Sequence, residues 1–285
     1  MEAWVARCLG LSILFAGPLT AQTDPAPGTI TRVDHFYAQS PSPTALLELL
    51  MDDLALPVAW PYEDFGSFAS GAVSLGNVGF EVVRSEQSGE SESAQFFGIA
   101  LEPEGNTQSA LAWLTQQGVD HATPKPFPAD GPPAWENTAL PGLIPGTANV
   151  FVCDYKDRSM VLEGRRIAEE KFNELGGGPL GVVEVRELVI ESADLARSLE
   201  HWSRLVPNAR HVGDEVLVDF DSGPRIRIHR ADADRFAAIV LMVRSIEEAR
   251  AFLEAAALSG ADQGDSPSIN PRAVGGLRIL IAQAP

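Results

Sequence analysis

The stretch "ITRVDHFYAQ", Ile30–Gln39, is an apolar run with two polar residues, Asp34 and His35, near its centre. Its content of Ile, Val, Phe and Tyr is typical of a buried β-strand. A buried imidazole costs free energy unless it finds a hydrogen-bond partner or a metal ion. His35, one of five histidines in the chain, is therefore the first candidate for a functional side chain. The two-residue alternation of a strand predicts that Asp34 faces the opposite side.

The residues after this strand predict one helix and three further strands. "SPTALLELLMDDLAL" places Leu46, Leu50 and Leu54 at helical spacing, and its Ser-Pro pair suits a helix start. Three extended segments follow, "PVAWPY", "GSFASGAVSLG" and "NVGFEVVRS". The predicted order is strand, helix, strand, strand, strand.

This order recurs three more times along the chain. A second copy begins at "FFGIALEP", with a helix capped by Asn106, and a third begins at "VVEVRELVIES". A fourth runs from "FAAIVLMVRS" to "GLRILIAQA". A charged helix-like stretch between the second and third copies ends at Gly176, where three glycines and a proline mark a domain boundary. A repeated unit that leaves one sheet face uncovered predicts pairing, so the sequence predicts an α+β protein with two pairs of modules.

Length and charge limit the classes of function. The 285 residues suffice for two domains. With 21 basic and 39 acidic residues the formal net charge is −18. So acidic a chain repels phosphate backbones, and we expect no nucleic-acid partner.

The chain begins with a segment of different character. "MEAWVARCLGLSILFAGPLTA" carries Arg7, then an apolar run, then small residues up to Ala21. This pattern predicts a secretory signal peptide, residues 1–21, cleaved near Ala21, and a linker over 22–29. The apolar run falls short of the roughly 20 residues that span a membrane. We therefore expect an exported protein, periplasmic or secreted, with no stable membrane span. Cleavage would leave Cys153 as the one cysteine, unable to form an internal disulfide.

The order of elements resembles the vicinal oxygen chelate superfamily, which includes glyoxalases, bleomycin-resistance proteins and extradiol dioxygenases. The resemblance is carried by "VDHFYA" and by "LALPVAWPYEDFGSFASGAVSLGNVGFEVV". It implies four βαβββ modules paired into two half-open glyoxalase-like barrels. The implied domains are an N-terminal one over 30–156 and a degenerate C-terminal one over 181–285, joined by a helical linker over 157–180.

The resemblance also implies a site. In this family the first strand of a module carries a His ligand and the last strand a Glu, and His35 and Glu81 match those positions. They would hold a divalent Fe, Mn or Zn ion, or act as an acid/base pair. The matching positions of the second module are Gly98 and Cys153, so a third ligand would have to come from Cys153, Asp154 or His121.

The third and fourth modules offer no comparable pair. Glu187 stands at the position of His35, and Arg227 lies near the position of Glu81. The fourth module has Ile239 at its His position and aliphatic residues near Leu280. The C-terminal barrel is therefore expected to be structural or to cover the ligand of the first.

An aromatic segment of the first module suggests a binding pocket. Trp60, Tyr62 and Phe68 suit a flat or apolar small molecule, although the same residues would also serve as a hydrophobic core. Two functions stay open, beside a third possibility, a purely structural or interaction domain with no sizeable pocket in the first barrel. One is binding of a small organic molecule with metal-assisted lyase, isomerase or dioxygenase chemistry. The other is sequestration without catalysis. If the chain assembles, the expected form is a homodimer.

Overall fold

The computed structural model describes residues 26, 28–85, 92–146, 149–262 and 267–285. The predicted signal peptide, residues 1–21, lies outside this part of the chain, as does most of the linker that follows it. Among the described residues, no helix is both long and apolar enough to cross a membrane.

The first two modules form one eight-stranded sheet. Its strand order is β2-β3-β4-β1-β5-β8-β7-β6. In the first module β1 pairs in parallel with β4, and the two modules join where β1 pairs antiparallel with β5. The strands are β1 (Ile30–Gln39), β2 (Val58–Asp64), β3 (Phe68–Ser74), β4 (Gly79–Ser85), β5 (Gln95–Pro103), β6 (Lys125–Phe127), β7 (Trp135–Ala139) and β8 (Asn149–Tyr155).

The last two modules form a six-stranded sheet of order β10-β11-β12-β9-β13-β14. The third module is complete, but the fourth has two isolated bridges, Ser259 to Ile269 and Ser268 to Leu280, where its middle strands were expected. The strands are β9 (Val182–Ser192), β10 (Arg210–Val212), β11 (Glu215–Val218), β12 (Arg225–Arg230), β13 (Arg235–Val243) and β14 (Ile279–Gln283). The α+β class and the paired modules are confirmed, with a reduced fourth copy.

Each module has its helix between its first and second strands, and a fifth helix joins the two sheets. Asn106 caps its helix through the backbone N–H of Ser109, as the sequence predicts. The first helix runs into a π-helical turn over Leu49–Asp53 rather than continuing regularly. The helices are α1 (Pro43–Glu48), α2 (Thr107–Gln116), α3 (Arg158–Glu174), α4 (Leu195–Leu205) and α5 (Ile246–Ala255).

One hydrophobic core joins the two sheets. It takes buried side chains from both sheets and from all five helices. At its centre Phe96 of β5 stacks on Phe236 of β13 with ring centroids 4.8 Å apart, and Phe36 meets Phe236 edge-on at 6.0 Å. Trp202 of α4 is fully buried in the same core. Because the core is shared, the two halves of the chain stabilise each other.

The other face of the N-terminal sheet lines a cavity. Along β1, Val33, Phe36 and Ala38 point into the shared core, whereas His35 and Tyr37 line the cavity. The strand is buried on both faces, which is why it reads as a continuous apolar run.

The corresponding face of the C-terminal sheet carries ion pairs. Glu187 of β9 meets Arg227 of β12 at 2.6 Å, and Glu215 of β11 lies 3.0 Å from the same arginine. Glu191 pairs with Arg235 at 2.5 Å. The two positions that match the metal ligands, Glu187 and Arg227, thus form an ion pair with each other.

Tyr37 and Gly98 fit together across the junction of the two modules. They are directly opposed in the β1–β5 ladder. A Cβ atom on Gly98 would lie 1.8 Å from a ring carbon of Tyr37, so the ring rests on the bare backbone of β5. Gly98 does not have the left-handed φ that favours glycine. The space needed by the ring therefore explains the glycine.

This packing predicts the effect of a single methyl group. Gly98→Ala should lower the free energy of unfolding by about 1–3 kcal/mol, because the ring must move. Gly164→Ala on α3 is the matched control, since a Cβ there meets nothing within 4 Å, and it should raise stability by up to about 1 kcal/mol. Urea unfolding measures both. An unchanged midpoint for Gly98→Ala would show that the ring does not need this space.

Candidate functional site

Three polar side chains meet on the cavity face of β1 and β4. His35 Nδ1 lies 2.9 Å from Asp34 Oδ2, and His35 Nε2 lies 3.4 Å from Glu81 Oε2. Asp34 and His35 are buried, and the side chain of Glu81 is 13% exposed. We call these residues the Asp34–His35–Glu81 group. The imidazole is held between two carboxylates, one on each ring nitrogen.

The position of Asp34 differs from the alternation expected of a regular strand. The ladder pairs Val33 with Leu101 and His35 with Ala100, so β1 has one residue more than β5 at this point. Such a β-bulge turns the extra residue out of strict alternation. Asp34 therefore lines the same cavity as His35, and the expectation that it faces away is wrong.

The charge on His35 is stabilised by its two neighbours. Burial alone would lower the pKa of His35, but the carboxylates of Asp34 and Glu81 outweigh it and raise the pKa to about 10. Burial opposes ionisation of Asp34 as well, yet His35 and Arg165 hold the pKa of that carboxyl far below its usual range. Around neutral pH the two side chains form a buried ion pair.

The linker helix α3 completes the surroundings of Asp34. Arg165 donates to Asp34 Oδ1 at 2.5 Å and lies 2.8 Å from Glu102 of β5. Arg158, two turns earlier, donates to the other oxygen of Glu102 at 2.9 Å. Tyr155 of β8 donates its hydroxyl to Asp34 Oδ2 at 2.7 Å. A buried carboxylate requires such partners, and here they come from β1, β8 and α3.

The cavity between the N-terminal sheet and α3 has a volume of about 1680 Å³. Met160, Val161 and Ala168 of α3 line it opposite the strands, so the helix lies across the curved face of the sheet. This volume exceeds the range of roughly 300–1,000 Å³ that is usual for pockets that bind drug-sized ligands.

Four aromatic rings close one side of this cavity. The rings of Phe127 and Trp135 stack at 4.4 Å, those of Phe65 and Phe68 at 5.0 Å, and Phe65 meets Phe127 edge-on at 5.4 Å. We call these four residues the aromatic cluster. Phe65 directly follows β2 and Phe68 begins β3, whereas Phe127 and Trp135 lie in β6 and β7, so the rings come from the two edges of the sheet. The contacts show that the sheet is curled until its edges meet.

The residues proposed for substrate binding are placed differently from one another. Trp60 and Phe68 line the cavity, and Trp60 lies edge-on to the His35 ring at 5.6 Å. Tyr62 packs instead against the shared core. Their roles in binding stay predictions.

The three residues considered as a third metal ligand do not join His35 and Glu81. Asp154 points away and binds Thr107 and Lys156 at 2.8 Å each. His121 is 3.3 Å from Thr115 and is not among the residues lining the cavity. Cys153 does line the cavity, but burial raises the pKa of its thiol, which disfavours the thiolate that binds metals.

The second module therefore does not complete a metal site. Gly98 has no side chain, and its place is filled by the Tyr37 ring. Within the described part of the chain, no group of three His, Cys, Asp or Glu residues is arranged to hold a metal ion. A catalytic metal usually has three protein ligands and an open position. Here His35 and Glu81 are the two candidate ligands that lie together, one fewer than the usual three.

Sequence reasoning missed several side chains that surround the site. Arg165 lies in a helix that holds seven other basic or acidic residues, and no pattern distinguishes it. Tyr155 ends β8, and Phe127 ends the short edge strand β6. One partner could have been found from the sequence. Asp34 directly precedes His35, and a buried histidine needs a partner that orients its ring.

Comparisons with known proteins bear on the fold. No protein-family model and no curated protein sequence matches this chain. Among solved structures, a hypothetical protein from Staphylococcus aureus aligns with a TM-score of 0.61 at 9% identity, covering 90% of this chain and 100% of that one. Homoprotocatechuate 2,3-dioxygenase from Arthrobacter globiformis aligns with a TM-score of 0.59 at 12% identity, covering 90% and 81%.

An extradiol ring-cleaving dioxygenase from B. fuscum aligns similarly, with a TM-score of 0.60 at 11% identity over 90% of this chain and 72% of that one. This chain shares the fold of extradiol dioxygenases. At such identities the likeness concerns the fold alone, and residue roles have to be argued from the site itself.

The raised pKa of His35 predicts how stability changes with pH. Its folded pKa of about 10 exceeds the ordinary value of 6.5, so the ion pair contributes fully below about pH 6.5 and is lost as pH rises toward 10. Between about pH 7 and pH 10, wild-type protein should lose at least about 4 °C more in Tm than His35→Gln does.

Thermal unfolding followed by circular dichroism measures this difference. His211→Gln is the control, because His211 is exposed and should keep the wild-type pH profile. Parallel profiles for wild type and His35→Gln would show that His35 is not charged in the folded protein.

Proposed function

We propose that the N-terminal half-barrel binds a small organic molecule beside the Asp34–His35–Glu81 group. The observation that supports this is the cavity of about 1680 Å³ whose lining includes all three residues. A purely structural barrel would fill this space with core side chains. The proposed ligand lies on the concave face and is covered by α3.

The polar group orients the ligand in this proposal. Asp34 holds the imidazole through Nδ1, so Nε2 is directed at Glu81. The Glu81 carboxylate accepts hydrogen bonds from an N–H or O–H of the ligand, and Trp60 packs beside it. Hydrogen-bonding groups in an otherwise apolar pocket are what fixes the pose of a small ligand.

Binding without catalysis and binding with catalysis both remain within this proposal. With catalysis, the proposal is that Glu81 accepts a proton from the ligand and His35 stabilises the resulting charge. The fold is shared with dioxygenases, but their activity does not transfer with it. Export is likewise proposed from the sequence of residues 1–21.

The binding proposal predicts a result from ligand-observed NMR with a library of small organic fragments. Wild-type protein should bind a subset, and Trp60→Ala or Glu81→Ala should weaken those fragments by about tenfold or more, because each loses a main contact. Val212→Ala, at an exposed position of the C-terminal sheet, should leave them unchanged. Absence of binding, or binding indifferent to both cavity substitutions, would refute the proposal.

A divalent metal, Fe, Mn or Zn, is the second candidate partner of the site. The separation of 3.4 Å between His35 Nε2 and Glu81 Oε2 suits two ligands of one ion, and an Asp on Nδ1 is a common support for a metal-bound histidine. With no third ligand arranged among the described residues, we derive no reaction step from a metal.

The donor set predicts that metal is not retained. After incubation with each ion and dialysis, wild-type protein should contain far less than one metal per chain by plasma mass spectrometry, because two ligands bind weakly. The double variant His35→Ala/Glu81→Ala is the control and should give the same reading. One metal per wild-type chain, lost in the variant, would establish a metal site instead.

A further inference from the structure

The charges at the inner end of the cavity are already paired within the protein. Asp34 lies 2.9 Å from His35 and 2.5 Å from Arg165, and Glu102 lies 2.8 Å from Arg165. Glu81 lies 3.4 Å from His35. Arg32, which also lines the cavity, lies 3.7 Å from Glu102. A charged ligand group at this inner end would therefore meet charges that already face an opposite charge in the described structure. Burying such a charge costs several kcal/mol, on the order of the penalty for an unpaired ion.

An apolar surface leads from this inner end to the aromatic cluster. It consists of Tyr37, Val83, Ala100, Phe151 and Cys153, which form one buried cluster on the concave face. We call it the apolar wall. Phe151 contacts the His35 ring, with ring centroids 6.0 Å apart, and Phe68 and Trp135 of the aromatic cluster pack against the wall. Polar anchor, apolar wall and aromatic cluster are therefore continuous.

The cavity is much larger than a one-ring ligand. A single benzene ring fits a void of about 150 Å³, whereas this cavity has about 1680 Å³. A one-ring compound would cover the anchor or the aromatic cluster, but not both. The rest of the cavity would then stay open to water, and contacts there would contribute nothing to affinity.

We propose that the ligand is an uncharged, flat molecule with two or more rings. Its hydrogen-bond donor contacts Glu81, its body lies on the apolar wall, and its distal ring packs against the aromatic cluster. This deepens the proposed function and rests on it. The class follows from three features: the engaged charges, the continuous wall and the volume.

Three related compounds test this class. Aniline has one ring and one amine donor, N-phenylnaphthylamine is a larger uncharged amine, and anilinonaphthalene sulfonate is the same skeleton with an anionic group. Titration calorimetry or fluorescence on the full chain should give N-phenylnaphthylamine a Kd at least about tenfold below that of the sulfonate. Equal or tighter binding of the sulfonate would overturn the requirement for an uncharged ligand.

Variants separate the aromatic cluster from general hydrophobicity. Trp135→Leu should weaken N-phenylnaphthylamine by about tenfold and leave aniline within about twofold, because aniline does not reach the cluster. Phe65→Leu provides the same test if the first variant folds poorly. Trp113→Leu on α2 is the matched control, since Trp113 does not line the cavity, and it should change neither compound.

The outcomes distinguish this inference from the proposed function. Aniline and N-phenylnaphthylamine responding equally to Trp135→Leu, or neither responding, would overturn the multi-ring class. If the fragment screen finds cavity ligands but N-phenylnaphthylamine does not bind, the inference fails and the binding function stands. If the screen finds no cavity ligand at all, the binding function itself fails.

Discussion

The burial of the Asp34 carboxylate is the constraint on which the arrangement of the N-terminal half depends. A bulge in β1 brings Asp34 onto the same face as His35, where an isolated charge would be strongly unfavourable. Side chains from three elements stabilise the buried carboxylate: His35 on the same strand, Tyr155 on β8 and Arg165 on α3. The linker helix is thereby fixed across the barrel, and the imidazole is fixed toward Glu81. The position of the helix and the geometry of the site follow from one buried charge.

The two halves of the chain use the same diagonal position in the same way. In the first half His35 is paired in the ladder with Gly79 and contacts Glu81, two residues further along β4. In the second half Glu187 is paired with Arg225 and contacts Arg227, two residues further along β12. The repeated module places two side chains together at this diagonal whatever they are. An acid and a base fill it in both halves, with the order reversed, and only the first pair opens on a large cavity within the described structure.

The fold could be predicted from the sequence because its signals are local and repeated. Leu46, Leu50 and Leu54 mark one helix face, all three are buried, and the module order follows from four similar runs. The position of Asp34 could not be predicted, because a bulge depends on the register of the partner strand β5 and leaves no mark in β1 itself. Arg165 could not be predicted either, since its partners are 131 and 63 residues away in the chain and ordinary helix charges surround it. Tyr62 packs against the shared core and not in the cavity. This could not be predicted, because aromatic content alone does not show which face of a strand a ring occupies.

The contact between Tyr37 and Gly98 shows how one fold serves different site chemistries. The first strand of each module brings a side chain to the centre of the barrel, so two modules can supply ligands from both sides. Here the second module contributes a glycine, and a ring from the first module lies over it. The Tyr37 ring packs on the backbone of β5, and Asn149 donates a hydrogen bond to its hydroxyl at 3.2 Å. The ring is thereby part of the apolar wall. A glycine supplies no metal ligand, and the ring that lies over it extends the surface available to an organic molecule. The missing donor at Gly98 and the apolar ring over it therefore belong to one contact, which is why the proposal of an organic ligand and the incomplete metal site support each other.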